Sequence, residues 1–417
     1  MKLLFLAHRI PYPPTKGDKI RSYNEMMGFI ERGHEVHLLA FADDQHDLNY
    51  QAHLELLCAS VQVVALHRHT AKLRAISNLI TRRPLSLGYF ASRKMQRLVE
   101  QSIAQHDFDA VFVYSSTMAQ YVPRGFSSRT IVDLVDVDSE KWRDYARYKQ
   151  PPKSWLYELE WKRLHRYEQE IVRRFAYTIL TTQREASLLD ELDEFTRRAR
   201  LRVITNGVDS DYFQTGDGTV ISSIPRLVFI GAMDYYANIE GVCWFVEEVF
   251  PLIREREPQA EFFIIGSNPA REVIKLGERN GVTVTGFVDD VRPFLREATV
   301  CVIPLRIARG VQNKVLQAMA AGKAIVATPE AVAGLQVEDG KEMLLARRGQ
   351  DFAEAILRII REEPLRAELA SQALRYVEAE HNWEPLLKRL IELVESVAFG
   401  HSGKTGANPR AIARKGF

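Results

Sequence analysis

The sequence of 417 residues predicts an α/β protein that contains two doubly wound parallel sheets, one after the other along the chain. Short apolar runs alternate with longer amphipathic stretches from end to end, which is typical of strands joined by crossover helices. A turn-rich segment, residues 201–226, separates two such series and contains Asn206-Gly207. The chain is also longer than the roughly 100 to 200 residues of one ordinary domain, so two domains are expected.

Each series contains six apolar runs that predict buried strands. In the first series they are residues 3–7, 35–41, 61–66, 109–114, 130–135 and 177–181. In the second they are residues 226–231, 261–266, 282–285, 300–304, 324–328 and 343–345. We therefore predict a first domain at 1–205, a second domain at 206–384, a helix at 385–397 that packs back onto the first domain, and a disordered basic tail at 400–417.

Composition excludes several classes of protein. A formal net charge of +2 is too small to indicate a nucleic-acid binder by itself. Three widely spaced cysteines fit neither a disulfide framework nor a metal cage, so we expect a reducing compartment. The N-terminal apolar run is too short for a signal peptide, and no run approaches the roughly 18 apolar residues of a membrane helix. A cytoplasmic protein is expected.

The loop after the first strand, residues 11–21, is one candidate site, because ligands of open parallel sheets bind at the carboxyl ends of strands. Gly17 lets the backbone approach a ligand, and the following helix offers free amides to an anion. Lys16, Lys19 and Arg21 add positive charge. The alternative is a strand-to-helix turn with solvated charges. The loop contains neither of the glycine motifs of dinucleotide-binding proteins and P-loop proteins.

Residues 304–322 form the strongest candidate, with strand, loop and helix in that order. Gly310 permits a close approach, and the amides at the helix start, with a lysine one turn in, suit a diphosphate. Gln317, further along the helix, could bond a sugar hydroxyl. The residues that supply these amides and the charge are Val311, Gln312, Asn313 and Lys314. The alternative is a helix start that meets only water.

Four segments together resemble glycosyltransferase family 4 of the GT-B fold: residues 203–209, 285–290, 304–306 and 310–322. Residues 13–24 and 133–142 resemble, more narrowly, the sugar transferases associated with exosortase (PEP-CTERM) exopolysaccharide systems. The resemblance implies two Rossmann-like domains, a nucleotide-sugar held mainly by the second domain, and an acceptor held by the first. It also implies metal-independent transfer with retention of configuration, and no cofactor.

Carried over by position, the resemblance places the donor at Gly17, Gly231, Gly266, Phe287, Val288, Arg309 and the 310–317 helix start. Lys16, Asp18 and Arg21 are acceptor or phosphate candidates. The sequence departs from the family at three places. Arg309 and Gln317 stand where many relatives have two Glu residues, and Asp136 stands where many have a His. Met233 and Asn238 stand where many relatives have the Arg and Lys that clamp phosphates. We therefore expect Lys314, with Arg309, to hold phosphate, and Asp136 to lie beside the transferring carbon.

Two of these residues have alternative interpretations. Asp136-Val137-Asp138 also matches the DxD pattern that holds a divalent metal in another transferase fold, although its position late in the first sheet argues against that role. Asp138 could instead, with Ser139, cap a helix starting near Glu140. Phe287 could pack on a nucleobase or lie in the core.

Residues 56–99 contain no acid but many basic residues among apolar ones, including Arg82, Arg83, Arg93 and Lys94. The stretch 68–97 fits an anionic membrane surface or a lipid diphosphate acceptor. A solvated basic face is one alternative, and nucleic acid is another, without a recognised motif.

These observations predict a retaining glycosyltransferase that moves a sugar from a nucleoside diphosphate to a hydroxyl of an exopolysaccharide or lipid-linked precursor. The expected location is the cytoplasm, peripheral on the membrane. Two rivals stay open: a nucleotide-sugar epimerase of the same architecture, and a nucleotide-sugar-binding subunit of weak activity, which the missing Glu pair and clamp would explain.

Overall fold

The computed structural model describes residues 1–44, 46–189, 192–214 and 224–400. It contains two parallel sheets with helices between most successive strands, and this confirms the predicted fold class. Apart from Gly400, the tail predicted to be disordered lies outside the described residues.

The first sheet has seven strands in the order β3-β2-β1-β4-β5-β6-β7. They are β1 (Lys2–Ala7), β2 (Glu35–Ala42), β3 (Ser60–Ala65), β4 (Ala110–Tyr114), β5 (Thr130–Val135), β6 (Tyr177–Leu180) and β7 (Leu201–Val203). Six match predicted runs to within one or two residues. The seventh corrects the prediction, because residues 201–203 were assigned to the connector and instead pair with β6.

The second sheet has six strands in the order β10-β9-β8-β11-β12-β13, all of them at predicted positions. They are β8 (Arg226–Ile230), β9 (Glu261–Ile265), β10 (Val282–Gly286), β11 (Val300–Ile303), β12 (Ile325–Ala327) and β13 (Leu344–Leu345). In both sheets the order reverses beside the first strand, between β1 and β4 and between β8 and β11. Ligands of open α/β sheets bind at such switch points.

The helices of the first half are α1 (Gly17–Glu31), α2 (Gln51–Glu55), α3 (Arg68–Thr81), α4 (Leu85–Tyr89), α5 (Arg93–Gln105), α6 (Asp138–Tyr148), α7 (Lys153–Arg174), α8 (Gln183–Ser187) and α9 (Glu194–Arg200). Those of the second half are α10 (Ser210–Gln214), α11 (Tyr236–Trp244), α12 (Phe250–Arg254), α13 (Arg271–Leu276), α14 (Arg292–Glu297), α15 (Asn313–Ala320), α16 (Gly349–Arg361), α17 (Glu363–Glu380) and α18 (Trp383–Phe399). Short 3-10 helices occur at His46–Tyr50, Ser116–Tyr121 and Arg124–Arg129, and a π-helical turn at Phe245–Val249.

Helices cover both faces of the first sheet, because its strands are apolar at consecutive positions. Leu3 and Phe5 pack into one core, while Leu4 and Leu6 pack into another on the opposite face. Leu390 of α18 belongs to the same core as Phe5, and Leu387 contacts Gly28 of α1. The last helix therefore lies on the first sheet, although most of the second domain separates it from that sheet in sequence.

The chain passes between the two halves twice, and the two crossings lie side by side. Val208 forms a parallel bridge with Asn382, and its amide donates to the His381 carbonyl at 2.8 Å. Close to this bridge, the ring of Trp383 packs against Gly207. The connection between the halves is thus a short pair of adjacent segments.

Candidate functional site

The loop between β11 and α15 carries the residues expected to hold a diphosphate. Gly310 has φ +59°, a conformation that favours glycine, and a β-carbon there would overlap the Asp136 carboxylate of the first domain. Behind it, a β-carbon at Gly334 would overlap the Gly310 carbonyl. The Gly310 backbone is thus held between Asp136 and Gly334.

Among the residues that the structure describes, the first amides of helix α15 have no hydrogen-bond acceptor. Its N-cap, Gln312, makes no side-chain cap and instead donates from Nε2 to the Arg309 carbonyl at 2.6 Å. Helices of this length leave their first amides without intrahelical partners, and the positive end of the helix dipole favours an anion there. The amides at positions 312–314 are therefore available to phosphate oxygens.

The Lys314 ammonium lies in the same loop region. Its Nζ donates to Asn238 Oδ1 at 3.0 Å and approaches Gln312 Oε1 at 3.3 Å, both neutral acceptors. Burial lowers the pKa of Lys314 to about 8. Asn238 is neutral and cannot replace the phosphate-binding cation that many relatives have at this position. It instead accepts a hydrogen bond from Lys314, which carries the charge. A phosphate would provide the negative partner that this ammonium lacks in the described part of the chain.

Glycines close the neighbouring loops tightly. A β-carbon at Gly266, after β9, would overlap the Gly231 carbonyl after β8. At Gly231, a β-carbon would lie 3.2 Å from Lys314 Cε. The structure therefore places Gly231 against Lys314, and places Gly266 against the other side of Gly231.

The other donor candidates differ in exposure. The side chain of Phe287, after β10, is exposed (63%), so it does not lie in the core. Val288 is partly buried and packs against the core of the second domain. Gln317 is partly buried on α15.

Asp136 follows an irregular end of β5. Val135 has φ +67°, which is unusual for a β-branched residue, and the pairing with β6 shifts register at this point. The Val135 amide donates to Asp133 Oδ1 at 2.7 Å, and Thr181 Oγ1 donates to Asp136 Oδ1 at 2.7 Å. This bulge directs the Asp136 carboxylate at Gly310.

A second carboxylate shares this environment. Glu185 of α8 is buried, and its Oε2 accepts from the Val137 amide at 2.8 Å. Burial, with the nearby Asp138, raises the pKa of Asp136 to about 6. Burial and the charge of Asp136 raise the pKa of Glu185 to about 7. The two groups oppose each other's ionisation, as closely spaced acids do.

The start of α6 corrects the predicted cap. The helix begins at Asp138 rather than near Glu140, and neither Asp138 nor Ser139 caps it. Glu168 of α7 instead accepts from the Ser139 amide at 3.1 Å and the Ser139 hydroxyl at 2.5 Å. Asp138 accepts from Ser116 Oγ at 3.4 Å. Carboxylates from distant helices therefore satisfy the backbone next to Asp136.

Arg309 links the two domains. Its Nε donates to Asp144 Oδ2 of α6 at 2.6 Å, and its other nitrogens lie 3.5 Å from Glu140 and 4.0 Å from Glu185. Burial lowers the pKa of Arg309, but the bond to Asp144 and these charges raise it overall. The guanidinium expected to assist Lys314 with phosphate is bound to carboxylates of the first domain in this structure.

The start of α1 reaches the same place. A β-carbon at Gly17 would lie 3.2 Å from Asn313 Nδ2, while Asn313 Oδ1 accepts from Asn206 Nδ2 at 3.1 Å. The N-termini of α1 and α15 therefore face each other, with Asn206 of the connector beside them. Lys16, the N-cap of α1, is exposed.

Arg21 and Asp18 take part in ion pairs of the first domain. Arg21 is buried, its Nε bonds Asp133 at 2.7 Å and Glu25 at 3.0 Å, and its Nη1 reaches Asn206. Asp18 accepts from Arg9 Nη1 at 2.6 Å. Although burial raises the pKa of Asp18, the hydrogen bond from His8 and the charge of Arg9 hold it well below its usual range. Arg21 and Asp18 are thus both engaged by protein groups in this structure, and their assignment as acceptor or phosphate contacts stays a prediction.

Sequence reasoning missed the partners that orient these groups: Glu140, Asp144, Glu168, Thr181, Glu185 and Asn206. Thr181 ends a predicted strand, Glu185 follows that strand, and Asn206 belongs to a segment that carries the family resemblance, so these three positions had a signal in the sequence. Within the described residues, no three His, Cys, Asp or Glu side chains are grouped as a metal site requires. No helix in the described part of the chain combines the length and apolar character needed to cross a membrane.

Two family models match the chain in the order of its domains. Residues 23–207 match the family described as "Glycosyl transferase 4-like domain", and residues 224–362 match "Glycosyl transferases group 1". The chain belongs to the GT-B glycosyltransferases. An uncharacterised glycosyltransferase of Methanocaldococcus jannaschii is 23% identical over 178 residues, or 41% of this chain and 45% of that protein. The match thus spans less than half of that relative's length.

Solved structures of other proteins share the fold of this glycosyltransferase. HepE of Anabaena, in complex with UDP, superposes with a TM-score of 0.66 at 16% identity, over 95% of this chain and 100% of that one. Sucrose-phosphate synthase of Thermosynechococcus elongatus gives 0.68 at 17% identity, over 95% and 99%. At these identities the likeness shows the fold alone.

Proposed function

We propose that this glycosyltransferase moves a sugar from a nucleoside diphosphate to a hydroxyl of an exopolysaccharide or lipid-linked precursor, with retention of configuration. The observation that carries the proposal is the meeting of Asp136 with the Gly310 backbone, one helix turn from Lys314. One domain thereby supplies a carboxylate and the other supplies the cationic end of a helix, at a single point. That is the arrangement in which a sugar–phosphate bond could be broken.

In the proposed mechanism, the second domain binds the leaving diphosphate. The first amides of α15 and the Lys314 ammonium offset the charge that grows on the leaving oxygen, and such preorganised donors stabilise a transition state strongly. The Asp136 carboxylate orients or partly stabilises the reacting carbon, which becomes electron-poor as the diphosphate departs. No covalent intermediate and no metal ion is required by this scheme.

Two observations support a proposal for the nucleobase of the donor: the exposed Phe287 ring, and the nucleotides bound by a protein of the same fold. The structure of HepE was determined with UDP and also with UDP-glucose. We therefore name a uridine nucleotide as the first donor to test. The Phe287 ring, exposed after β10, offers a flat surface on which a nucleobase could stack.

The acceptor side rests on an apolar and basic surface of the first domain. Leu73, Ile76 and Ile80 of α3 expose 68%, 59% and 88% of their surface within the basic stretch 68–97. Exposed apolar residues beside basic ones are suited to an anionic lipid surface. This supports a peripheral location at the membrane and a lipid-linked acceptor, in keeping with the resemblance to exosortase-associated transferases.

The test is an incubation of the protein with UDP-, GDP- and ADP-sugars. We expect slow hydrolysis with release of nucleoside diphosphate in the absence of acceptor, and the anomer formed on transfer can be read by NMR. An epimerised nucleotide-sugar would identify the epimerase instead, and binding without turnover would identify a binding subunit. Excess EDTA is expected to leave turnover intact, whereas a loss reversed by Mn²⁺ or Mg²⁺ would contradict metal independence.

A further inference from the structure

A cluster of aromatic side chains joins the two domains beside the candidate site. Trp142 and Tyr145 of α6 lie 6.0 Å apart, and Tyr157 of α7 lies 5.5 Å from Trp142. Across the domain boundary, the rings of Tyr145 and Tyr236 lie 6.4 Å apart, almost at right angles. Rings from α6, α7 and the start of α11 therefore form one continuous group.

Part of this aromatic surface is open to solvent. Tyr235 and Tyr236, which precede and begin α11, are 44% and 39% exposed. Large rings gain from burial, so contiguous exposed ones on a folded surface often mark a binding site.

The cluster is close in sequence to groups that both domains contribute to the candidate site. Tyr235 and Tyr236 precede Asn238, which holds Lys314, by less than one helix turn. On the other domain, Trp142 lies about one turn after Asp138. Burial, with the charges of Asp136 and Asp138, raises the pKa of Tyr235, so this ring lies near the carboxylate of the proposed mechanism. A molecule resting on these rings would therefore lie near the proposed transfer point.

Two lysines accompany the rings. Lys141 Nζ lies 5.8 Å from the ring centres of both Tyr145 and Tyr235, and Lys149 Nζ lies 5.0 Å from that of Tyr236. Arginines take the neighbouring α6 carboxylates: Arg143 and Arg309 pair with Glu140, and Arg147 and Arg309 with Asp144. Lys141 also faces Asp138, whereas Lys149 contacts only the ring among these groups. Positive charge therefore lies over these rings.

We propose that the ring–lysine cluster, defined as Lys141, Trp142, Tyr145, Lys149, Tyr235 and Tyr236, binds the acceptor glycan through a sugar unit that carries a carboxylate. The inference rests on the proposed glycosyl transfer. The apolar CH face of a pyranose packs on aromatic rings, while its carboxylate accepts charge-assisted hydrogen bonds from the lysines. A phosphate headgroup would use the lysines without the rings, and a neutral glycan would use the rings without the lysines.

The experiment titrates the full chain with trigalacturonic acid and with maltotriose, a neutral trisaccharide, by calorimetry. We expect saturable binding of trigalacturonic acid and binding of maltotriose that is at least about fivefold weaker. Lys149→Gln and Tyr236→Leu are each expected to weaken binding of trigalacturonic acid about tenfold, the scale of one lost charge-assisted hydrogen bond or ring contact. Tyr148→Leu, at the exposed tyrosine that ends α6 and is not part of the ring–lysine cluster, is the matched control and should bind as wild type does.

Three results would overturn the inference: no binding of trigalacturonic acid, equal affinity for both trisaccharides, or affinities unchanged by Lys149→Gln and Tyr236→Leu. Pyrophosphate serves as the third probe. If it displaces trigalacturonic acid, and if its own binding depends on Lys149 but not on Tyr236, the occupant is a phosphate group instead. Titration of UDP into the wild type tests the proposed function separately. If the protein binds UDP but does not bind trigalacturonic acid, the acceptor-site inference is wrong and the proposed donor binding still stands.

Discussion

Lys314 combines burial with neutral hydrogen-bond partners, and this makes its charge sensitive to a ligand. Asn238 and Gln312 orient the ammonium without neutralising it. Burial disfavours the charged form, which is why its pKa falls to about 8. A bound diphosphate would favour the charged form and raise that pKa again, so nucleotide binding and protonation of Lys314 are coupled.

Lys314→Ala is expected to weaken nucleoside diphosphate binding by roughly 1.5 to 3 kcal/mol, because it removes a charge-assisted hydrogen bond. Calorimetry with UDP measures this. Lys275→Ala, at an exposed lysine of α13, is the control and should bind as wild type. Unchanged affinity in Lys314→Ala would remove this residue from the proposed site.

The same residue predicts a pH dependence. Below pH 8 the free protein carries the ammonium and binds the diphosphate fully; as the pH rises through about 8 the charge is lost, and affinity for UDP falls. Titrations at several pH values between 6.5 and 9.5 measure the slope. In Lys314→Gln the slope should disappear, and a slope that persists there would belong to another group.

Asp136 and Glu185 are expected to ionise one after the other. The pKa of Asp136 is about 6 and that of Glu185 about 7, so Glu185 is still mostly protonated while Asp136 loses its proton. Glu185→Gln keeps an oxygen to accept from the Val137 amide and removes only the second ionisation. Since activity needs ionised Asp136 in the proposed mechanism, the acid limb of the pH–rate profile should stay near pH 6 in Glu185→Gln. A limb that moves in this variant would show that Glu185, and not Asp136, controls it.

At the level of elements, Arg21 ties three segments together. Its guanidinium on α1 bonds Asp133 of β5 and both Asn206 and the Thr205 carbonyl of the connector. Asp133 in turn accepts from the Val135 amide within the bulge before Asp136. The buried ion pair of Arg21 and Asp133 thus stabilises the backbone conformation that orients Asp136.

Arg21→Met is expected to lower the free energy of unfolding by about 3 to 5 kcal/mol, because it leaves the Asp133 and Glu25 carboxylates buried without their cation. Urea unfolding measures the loss. Adding Asp133→Asn to Arg21→Met should recover part of it. Arg32→Met, at the exposed end of α1, should change stability little. A wild-type midpoint for Arg21→Met would contradict the network's role.

Sequence patterns predicted the strands well because parallel strands covered on both faces are continuous apolar runs. They missed β7, since its three residues lie among turn signals and gain their pairing only from β6. The 310–314 helix start was predictable because glycine and helix punctuation are local. The contacts of Arg309 with Asp144 and Glu185 were not, because no local pattern brings residues so far apart in sequence together.

For the whole molecule, the exposed apolar side chains of α3 predict association with lipid. Ile76→Ser combined with Ile80→Ser should weaken binding to phosphatidylglycerol vesicles by about 2 kcal/mol or more, since both side chains would leave an apolar environment. Co-sedimentation measures the loss. Ile274→Ser, at an exposed isoleucine of α13 in the other domain, is the control.

Charge reversal at Arg82, Arg83, Arg93 and Lys94 should also lower vesicle binding, and added salt should weaken the wild type because charges near a membrane surface are screened within about 8 to 10 Å. Equal sedimentation of wild type and both variants would leave the basic stretch as an ordinary solvated face. It would also remove the reason to expect a lipid-linked acceptor.

The paired crossings at Val208 and Asn382 determine which movements the molecule permits. Two backbone segments joined by the Val208–His381 hydrogen bond restrain sliding and twisting of one half against the other far more than one flexible linker would. The movement that remains is a hinge rotation of one half against the other, about a single axis through the two crossings. Side chains far from that axis, on whichever half, sweep the longest arcs, so the distance between facing side chains of the two halves changes with a single angle.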